Sequence, residues 1–189
     1  MSPTNIFEYQ KPVIVGLRGR AGAGKSTLAS YLNEMETDVV RMSFAGPIRD
    51  ALRTLGITKQ DSPQLYRKLA QTIGQSARDA DQDHWVKLAK QGIERECMSG
   101  RHKTPIIVFD DVRYPNEVIL CDLVFYITPV GFNPLDLGDL ANHESEKMNR
   151  KGPGDSIQIL NAVGRGVYAA EEILKAVRAE VSRRNPRRR

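Results

Sequence analysis

One glycine-rich octapeptide near the amino end constrains the fold of this chain more than any other feature. It reads Gly-Arg-Ala-Gly-Ala-Gly-Lys-Ser from Gly19 to Ser26 and matches the pattern G-x-x-x-x-G-K-[ST] at every fixed position. Before it, the apolar and β-branched residues 12–17 predict a strand buried on both faces. After it, residues 25–35 carry apolar side chains at helical spacing, so we expect the octapeptide to join a buried strand to an amphipathic helix.

The residue types of this loop predict a bound nucleoside triphosphate. Its glycines allow consecutive backbone N–H groups to turn towards phosphate oxygens, and the start of the helix adds a favourable dipole. Lys25 can reach the β and γ phosphates, and the Ser26 hydroxyl can ligate Mg²⁺. We therefore predict ATP and Mg²⁺ as cofactors. The predicted ATP-binding residues are Gly19, Arg20, Ala21, Gly22, Ala23, Gly24, Lys25, Ser26 and Thr27.

Two adjacent aspartates end the second strongly apolar run of the chain. Residues 104–109 predict another buried strand, and Asp110 and Asp111 follow it directly. A carboxylate at the end of a strand beside the phosphate loop can hold Mg²⁺, so Ser26, Asp110 and Asp111 are the predicted metal residues. Because side chains alternate along a strand, we expect only one aspartate to face the phosphates. The alternative is that the pair merely forms a turn.

Strands and helices alternate along the rest of the sequence. The patterns predict strands at 38–44, 104–109, 123–128 and 156–160, and helices at 47–55, 63–79, 82–96 and 168–181. Gly56 is expected to end the first of those helices. This order predicts an α/β fold, a three-layer P-loop NTPase fold with a mainly parallel central sheet and helices on both faces. We predict one domain over residues 1–182, because 189 residues suffice for one core.

Two predicted helices carry apolar stripes that indicate their inward faces. In the helix over 63–79 the stripe consists of Leu65, Leu69, Thr72, Ile73 and Ala77. In the helix over 82–96 it consists of Trp85, Leu88, Ala89 and Ile93. By contrast, residues 129–153 are rich in Pro, Gly, Asn and Asp without periodicity, and we interpret them as a lid or loop.

Charge and cysteine content narrow the environment of the protein. The formal net charge of +5 rests on five arginines within residues 183–189, which we interpret as a basic tail that is solvated or touches a polyanion. Only Cys97 and Cys121 are present, without metal or disulfide spacing, which indicates structural thiols in a reducing compartment. No leader or membrane-spanning run is visible, so we expect a soluble, cytoplasmic protein.

ATP binding alone does not distinguish a kinase from a motor or a switch. The distinction depends on the residues that would bind the second substrate, the phosphate acceptor. Arg67, Gln71 and Arg78 fall along one stripe of the helix over 63–79. Arginines there could hold an acceptor phosphate through paired hydrogen bonds and offset charge during transfer. The alternative is that Arg67 and Arg78 are surface salt-bridge residues.

Several further motifs give a specific resemblance. They are Phe44-Ala45-Gly46-Pro47, Arg67-x-x-x-Gln71-x-x-Gly74, Arg78, Trp85-Val86, Asp111-Val112-Arg113-Tyr114-Pro115-Asn116-Glu117, His143-Glu144-Ser145-Glu146 and residues 155–161. Together they resemble the bacteriophage deoxynucleoside monophosphate kinases over about residues 13–177. The resemblance implies transfer of the γ-phosphoryl group of ATP to a deoxynucleoside 5′-monophosphate, in the cytoplasm of a host cell if the gene is phage-borne.

The resemblance also implies roles for single residues. It implies a catalytic set of Lys25, Arg78, Asp111 and Arg113. It places Arg67, Gln71, Arg78 and Arg113 around the acceptor and Asp111 near the metal or the acceptor; alternatively, Arg113 is a structural partner of Asp111 or Glu117. We consider Phe44, at a strand end, a better candidate for stacking on a base than Trp85, whose spacing indicates core. A homodimer is left open, and neither a membrane nor, beyond the tail, a nucleic-acid partner is expected.

The chain departs from the family pattern at two places. Ser26 stands where family members often carry an Asp, which restores the regular G-x-x-x-x-G-K-[ST] pattern and is harmless. Cys121-Asp122 replaces a Gly-Gly pair, and Thr128 stands where an arginine is usual, so a lid arginine has no certain source; Arg150 is one candidate. His143 is interpreted as ordering a loop.

There are two rival interpretations of the function. One is a kinase for another small phosphorylated metabolite, such as phosphomevalonate or dephospho-coenzyme A, and the other is a nucleotide-dependent protein whose basic tail binds DNA.

Overall fold

The structure is a computed structural model that describes residues 11–102, 104–129, 156–161 and 165–184. Five strands and six helices alternate along these residues. In chain order they are β1 (Val13–Arg18), α1 (Lys25–Met35), β2 (Val39–Met42), α2 (Gly46–Thr54), α3 (Pro63–Ala80), α4 (His84–Met98), β3 (Ile106–Phe109), α5 (Pro115–Leu120), β4 (Leu123–Pro129), β5 (Ser156–Asn161) and α6 (Gly166–Arg184).

The five strands form one parallel sheet in the order β2-β3-β1-β4-β5. The first strand lies at its centre, with Gly16 opposite Phe109 of β3 and Val15 opposite Leu123 of β4. The chain crosses from one side of β1 to the other between β3 and β4. Such a reversal opens a crevice at the carboxyl ends of the strands, which is where parallel α/β sheets bind their ligands.

Apolar residues on the two faces of the sheet form two separate cores, so the fold has three layers. Val13, Val15 and Leu17 of β1 pack with α1 and α6, including the buried Leu28 and Ile173. On the opposite face, Ile107 and Phe109 of β3 pack with α2 and α4, the latter contributing Trp85. The alternation of side chains along the strands produces this division. The predicted α/β class, parallel sheet and helices on both faces are confirmed.

The predicted elements differ from the structure most clearly at two places. The predicted strand at 38–44 is shorter, Val39–Met42, because the chain turns at Ser43 to begin α2. Gly56, with φ of +71°, follows the end of α2 as predicted. The short helix α5 was missed: Pro115 lies in its first turn, and Glu117 accepts the backbone N–H groups of Arg113 and Tyr114 at its amino end.

The predicted inward face of α3 was partly wrong. Leu65 and Thr72 are exposed, whereas Leu69, Ile73 and Ala77 are partly buried. Helix α3 packs mainly on α2 and α4, so only a narrow stripe is covered. Gly74 is its one fully buried residue, and a Cβ there would lie 3.4 Å from Ile48 of α2.

The last helix, α6, extends into the segment that was predicted as a basic tail. The basic tail was predicted to begin at Arg183, but α6 runs to Arg184, whose Nη2 lies 2.6 Å from Asp122 and whose Nη1 donates to the carbonyl of Pro12. Asp122, one of the departures from the family pattern, also accepts the N–H of Ile14 at 2.8 Å. The described residues do not include 185–189, the predicted lid or loop after Pro129, His143 or Arg150. No described helix is both long and apolar enough to cross a bilayer.

Candidate active site at the carboxyl edge of the sheet

The phosphate loop turns sharply at Gly19, directly after β1. Gly19 has φ of +135°, and a Cβ there would lie 2.4 Å from the carbonyl oxygen of Ile127 in β4. Only glycine therefore allows the loop to lie against the neighbouring strand. Gly22 and Gly24 also have positive φ, of 77° and 81°, and α1 begins directly after Gly24. The strand, loop and helix predicted from the octapeptide are all present.

Lys25 lies at the first position of α1 and folds back over the loop. Its Nζ donates to the carbonyl oxygens of Gly19 and Arg20, both at 2.7 Å. The ammonium group is thus held above the concave side of the loop, where backbone N–H groups and a helix amino end meet. This arrangement can bind an anion, and Lys25 can exchange carbonyl partners for phosphate oxygens.

The two aspartates after β3 have different surroundings. Asp110 is buried and accepts hydrogen bonds on Oδ2 from Nε and Nη2 of Arg41, the Nε distance being 3.1 Å. The Nη1 of Arg41 donates to Ser30 of α1 at 3.2 Å, and Ser30 donates to the carbonyl of Ser26 at 3.1 Å. Asp110 is therefore linked through two side chains to the helix that follows the phosphate loop.

Asp111 instead ties the end of β3 to the turn before α2. Its Oδ1 accepts the N–H of Phe44 at 2.9 Å, and its Oδ2 accepts the N–H of Ala45 at 3.0 Å and the hydroxyl of Ser43. Asp111 also lines a large cavity beside the loop. The two carboxylates thus point to different places, as their alternation predicts, and neither is only part of a turn.

This cavity has a volume of about 850 Å³ and reaches the phosphate loop at Ala21. Helices α2 and α3 and the segment from Asp111 to Glu117 form its walls. The predicted acceptor residues Phe44, Arg67, Gln71, Arg78 and Arg113 all line it. Three cationic or aromatic residues that the sequence did not indicate, Arg49, Lys59 and Tyr66, line it as well. Five Arg or Lys side chains therefore face a cavity with two carboxylates, Asp111 and Glu117, each of which accepts backbone N–H groups.

Arg78 is held by three contacts at the edge of this cavity. Its Nη1 donates to the carbonyl of Gly74 at 3.0 Å, its Nη2 lies 3.5 Å from Oε1 of Glu117, and its guanidinium lies 3.9 Å above the ring of Tyr114. Trp85 donates to the same Gly74 carbonyl at 3.1 Å and is buried, as predicted for a core residue. Arg67 and Gln71, in contrast, are exposed on the open side of α3.

Glu117 connects the two walls that carry Arg78 and Arg113. The carboxylate is 2% exposed and accepts the N–H groups of Arg113 at 2.7 Å and Tyr114 at 3.1 Å. Burial raises the pKa of the Glu117 carboxyl, although these N–H groups and Arg78 oppose the shift. The backbone of Arg113 is therefore held by Glu117, which was one of the two structural partners proposed for this residue.

The ring of Phe44 is less available than its predicted role suggests. It is 4% exposed and stacks on Phe109 with ring centroids 4.4 Å apart. Phe44 still contributes to the cavity wall. Stacking of Phe44 on a base thus stays a prediction, while Tyr66 and Tyr114 are two further aromatic residues of the same wall.

Comparison with known proteins agrees with this geometry. The family model described as the NB-ARC domain matches residues 4–124, which contain the phosphate loop and both aspartates. This chain belongs to the NB-ARC domain family. As a member of this P-loop NTPase family, the chain has the nucleotide-binding fold that the octapeptide predicts. No curated relative matches the sequence.

Three solved structures resemble the NB-ARC chain in overall shape. They are TT1252 from Thermus thermophilus (16% identity, TM-score 0.49, 90% of this chain and 98% of that chain), a sugar kinase from Janibacter sp. (12%, 0.48, 87% and 93%) and a gluconokinase from Sinorhizobium meliloti (12%, 0.46, 93% and 99%).

The residues of this NB-ARC chain fit the Mg²⁺ that nucleotides bring to P-loop sites. Oδ1 of Asp110 is buried and has no hydrogen-bond partner among the described residues. Within that part of the chain, no three His, Cys, Asp or Glu side chains form a metal cluster. One carboxylate, the Ser26 hydroxyl, water and substrate phosphates are the ligands that Mg²⁺ commonly takes in kinases. Asp110 fits this role better than Asp111, whose oxygens both accept N–H groups.

Proposed function

We propose that this chain is an ATP-dependent kinase that converts deoxynucleoside 5′-monophosphates to diphosphates. The observation that carries the proposal is the cavity of about 850 Å³ that joins Ala21 of the phosphate loop to five Arg and Lys side chains. Its size is within the usual range for a small-molecule site. A motor or switch that only hydrolyses ATP has no need for a second, cationic cavity beside the phosphates.

The charge of the cavity supports a phosphorylated acceptor. Arg78 and Arg67 line the cavity from α3, Arg113 lines it from the segment after β3, and Lys59 is a further cation of its lining. Guanidinium groups bind phosphate oxygens through paired hydrogen bonds, so a monophosphate in this cavity would meet several donors. A neutral sugar would offer these guanidinium and ammonium groups no anionic oxygen to bind.

The shape and apolar lining of the cavity support a nucleoside rather than a small phosphate alone. Phe44, Ile48, Tyr66 and Ala70 form an apolar and aromatic stretch of wall. A planar base can bury its faces against such a surface, and aromatic contacts of this kind contribute about 1 kcal/mol each. Gln71 and Gln75 lie on the same helix and can donate to or accept from the base edge.

The proposed reaction is a direct phosphoryl transfer. An anionic oxygen of the acceptor phosphate forms a bond to the γ-phosphorus of ATP, while the bond from that phosphorus to the β,γ-bridging oxygen breaks. The products are ADP and the deoxynucleoside diphosphate, and no strong base is needed because the attacking oxygen is already ionised. Lys25 would follow the transferred group, and Arg78 and Arg113 would hold the acceptor and offset its charge. Mg²⁺ on Asp110 and Ser26 would neutralise charge on the β and γ phosphates.

An ADP-release assay over a panel of acceptors tests the proposal. The panel contains the deoxynucleoside and ribonucleoside monophosphates, phosphomevalonate, dephospho-coenzyme A and gluconate. We expect at least one deoxynucleoside monophosphate to raise ADP release well above the acceptor-free rate. Stimulation only by another phosphorylated metabolite would support kinase activity but would rule out deoxynucleoside monophosphates as the substrate. Release that no acceptor changes would indicate a nucleotide switch or hydrolase.

The nucleic-acid alternative receives no support from the described residues. Arg183 and Arg184, which were predicted to belong to the basic tail, lie in α6 and pair with Glu180. Arg183 and then Arg184 hold the pKa of the Glu180 carboxyl down at about 2. These two arginines are therefore occupied within the domain.

A further inference from the structure

Arg41 is a charged residue beside the nucleotide site for which no role was predicted from the sequence. It is the third residue of β2 and lies across Asp110, with its side chain 39% exposed against 2% for the side chain of Asp110. Through Ser30 it also reaches the first turn of α1, which contains Ser26. A cation that comes from the solvent side thus neutralises the buried carboxylate that best fits Mg²⁺.

The pairing is one-sided. Nε and Nη2 of Arg41 both donate to Oδ2 of Asp110, whereas Oδ1 is buried without a hydrogen-bond partner among the described residues. An unpaired buried carboxylate oxygen is costly, and native structures rarely keep one without a ligand. The position left open on Asp110 is thus an oxygen site next to a positive charge.

We propose that Arg41 is a built-in stand-in for the divalent cation of this site. It neutralises Asp110 while no metal–nucleotide complex is bound, and its charge weakens the binding of Mg²⁺ at Oδ1. The metal then binds well only together with the negative charge of a nucleotide, and it leaves with the product. The inference rests on the nucleotide site alone and not on the choice of acceptor.

Electrostatic repulsion predicts the direction in which removal of the Arg41 charge changes Mg²⁺ binding, and an experiment can test it. Two cations that share one carboxylate repel each other, and this repulsion is screened only in part by salt at a partly exposed site. Removing the charge of Arg41 should therefore strengthen Mg²⁺ binding. If Arg41 served only to tie β2, β3 and α1 together, its loss would lower stability equally with and without Mg²⁺.

The test compares Arg41→Gln with Arg53→Gln in the full chain. Both variants lose one positive charge, but Arg53 pairs with Asp50 on the exposed surface of α2. Thermal unfolding is followed against Mg²⁺ concentration, first with Mg²⁺ alone and then with saturating ADP. We expect the apparent Kd for Mg²⁺ to fall about tenfold in Arg41→Gln in both series. Arg53→Gln should match the wild type.

The double variant Arg41→Gln with Asp110→Asn should lose this gain, because the carboxylate that attracts Mg²⁺ is gone. An unchanged or higher Kd in Arg41→Gln would overturn the proposal. If Arg41→Gln is unfolded without metal, recovery of folding on adding Mg²⁺ and ADP is the expected result, and failure to recover would equally overturn it. None of these outcomes depends on kinase activity.

Discussion

At the scale of single residues, Glu117 determines how two cations of the cavity are held. It is buried, accepts two N–H groups of the segment that carries Arg113, and lies 3.5 Å from the guanidinium of Arg78. We expect Glu117→Gln to keep the hydrogen bonds to the backbone and lose the attraction for Arg78. The KM for the acceptor should rise about tenfold, which corresponds to one weakened charge-assisted contact, while the KM for ATP stays within about twofold.

Steady-state kinetics with each substrate varied in turn measures this change. Glu94→Gln, an exposed change on α4, serves as the control. A parallel rise in both KM values would mean that Glu117 supports the whole site and not the acceptor arginines.

The raised pKa of Glu117 also predicts a pH dependence. Because burial raises its folded-state pKa above the unfolded value, Glu117 takes up a proton at a higher pH than exposed glutamates do as the solution is acidified. Between the unfolded-state and the folded-state pKa, the charged form of Glu117 lowers the stability of the fold. Protonation of Glu117 therefore does not destabilise the protein, but it removes the negative partner of Arg78. We expect the acceptor KM of the wild type to rise on acidification before that of ATP. In Glu117→Gln this early rise should be absent, and its persistence would assign the titration to another group.

Lys25 is the residue whose loss should cost the most activity. We expect Lys25→Met to lower kcat by about a hundredfold or more, because a charge that follows the transferred phosphate is lost, while the unfolding temperature stays near that of the wild type. The measurement is kcat at saturating ATP and acceptor. Retention of more than about a tenth of the activity would contradict the role of Lys25, since one lost transition-state contact usually costs far more.

Residue-level prediction from the sequence succeeded where a local motif fixes the chemistry. Gly19, Lys25 and Ser26 follow from spacing alone. The pairing of Arg41 with Asp110 joins residues 69 positions apart and depends on β2 lying next to β3, which no local pattern reveals. For the same reason the sequence could place Asp110 and Asp111 at a strand end but could not say which one Arg41 would hold.

At the scale of elements, the close approach of the phosphate loop to β4 can be tested with two glycines. In Gly19→Ala the new Cβ would meet the Ile127 carbonyl at 2.4 Å, whereas nothing lies within 4 Å of the Cβ in Gly22→Ala. Both changes place alanine at positive φ, which costs about 1–2 kcal/mol. We expect urea unfolding to show that Gly19→Ala loses at least about 1 kcal/mol more than Gly22→Ala. Equal losses would mean that the loop moves away from β4 without cost.

Helix α3 carries acceptor residues of two kinds, which predicts unequal effects. Arg78 is anchored by Glu117, Tyr114 and the Gly74 carbonyl, whereas Arg67 is exposed. We expect Arg78→Ala to weaken monophosphate binding more than Arg67→Ala, because a pre-positioned guanidinium loses less entropy on binding. Neither variant should change the affinity for a fluorescent ATP analogue by more than about twofold. If ATP affinity falls as much as acceptor affinity, these arginines do not belong to the acceptor site.

The position of helix α3 explains why the prediction of its inward face was partly wrong. Periodicity assumes that an apolar stripe faces a core, but α3 borders an open cavity and rests on α2 and α4. Leu65 and Thr72 therefore remain exposed. The short helix α5 was missed because its six residues are too few to establish a period and its start depends on the buried Glu117.

At the scale of the whole molecule, the sequence predicted the fold well because both cores follow from simple alternation along β1 and β3. The partly buried Cys121, beside Gly16 of β1, belongs to this packing, and burial raises the pKa of its thiol to about 12. Such a thiol stays protonated, in agreement with its predicted structural role. What the sequence could not supply is the assembly of α2, α3 and the segment after β3 into one cationic cavity beside the phosphate loop.

Transfer of labelled phosphate tests the central claim of a phosphate-accepting kinase most directly. The protein is incubated with ATP labelled in the γ-phosphate, Mg²⁺ and each deoxynucleoside monophosphate, and the labelled products are separated. We expect the label to appear in the β-position of a deoxynucleoside diphosphate, in step with ADP, and we expect Lys25→Met to abolish it. Label found only in inorganic phosphate, at a rate that no monophosphate changes, would show that the protein is not such a kinase.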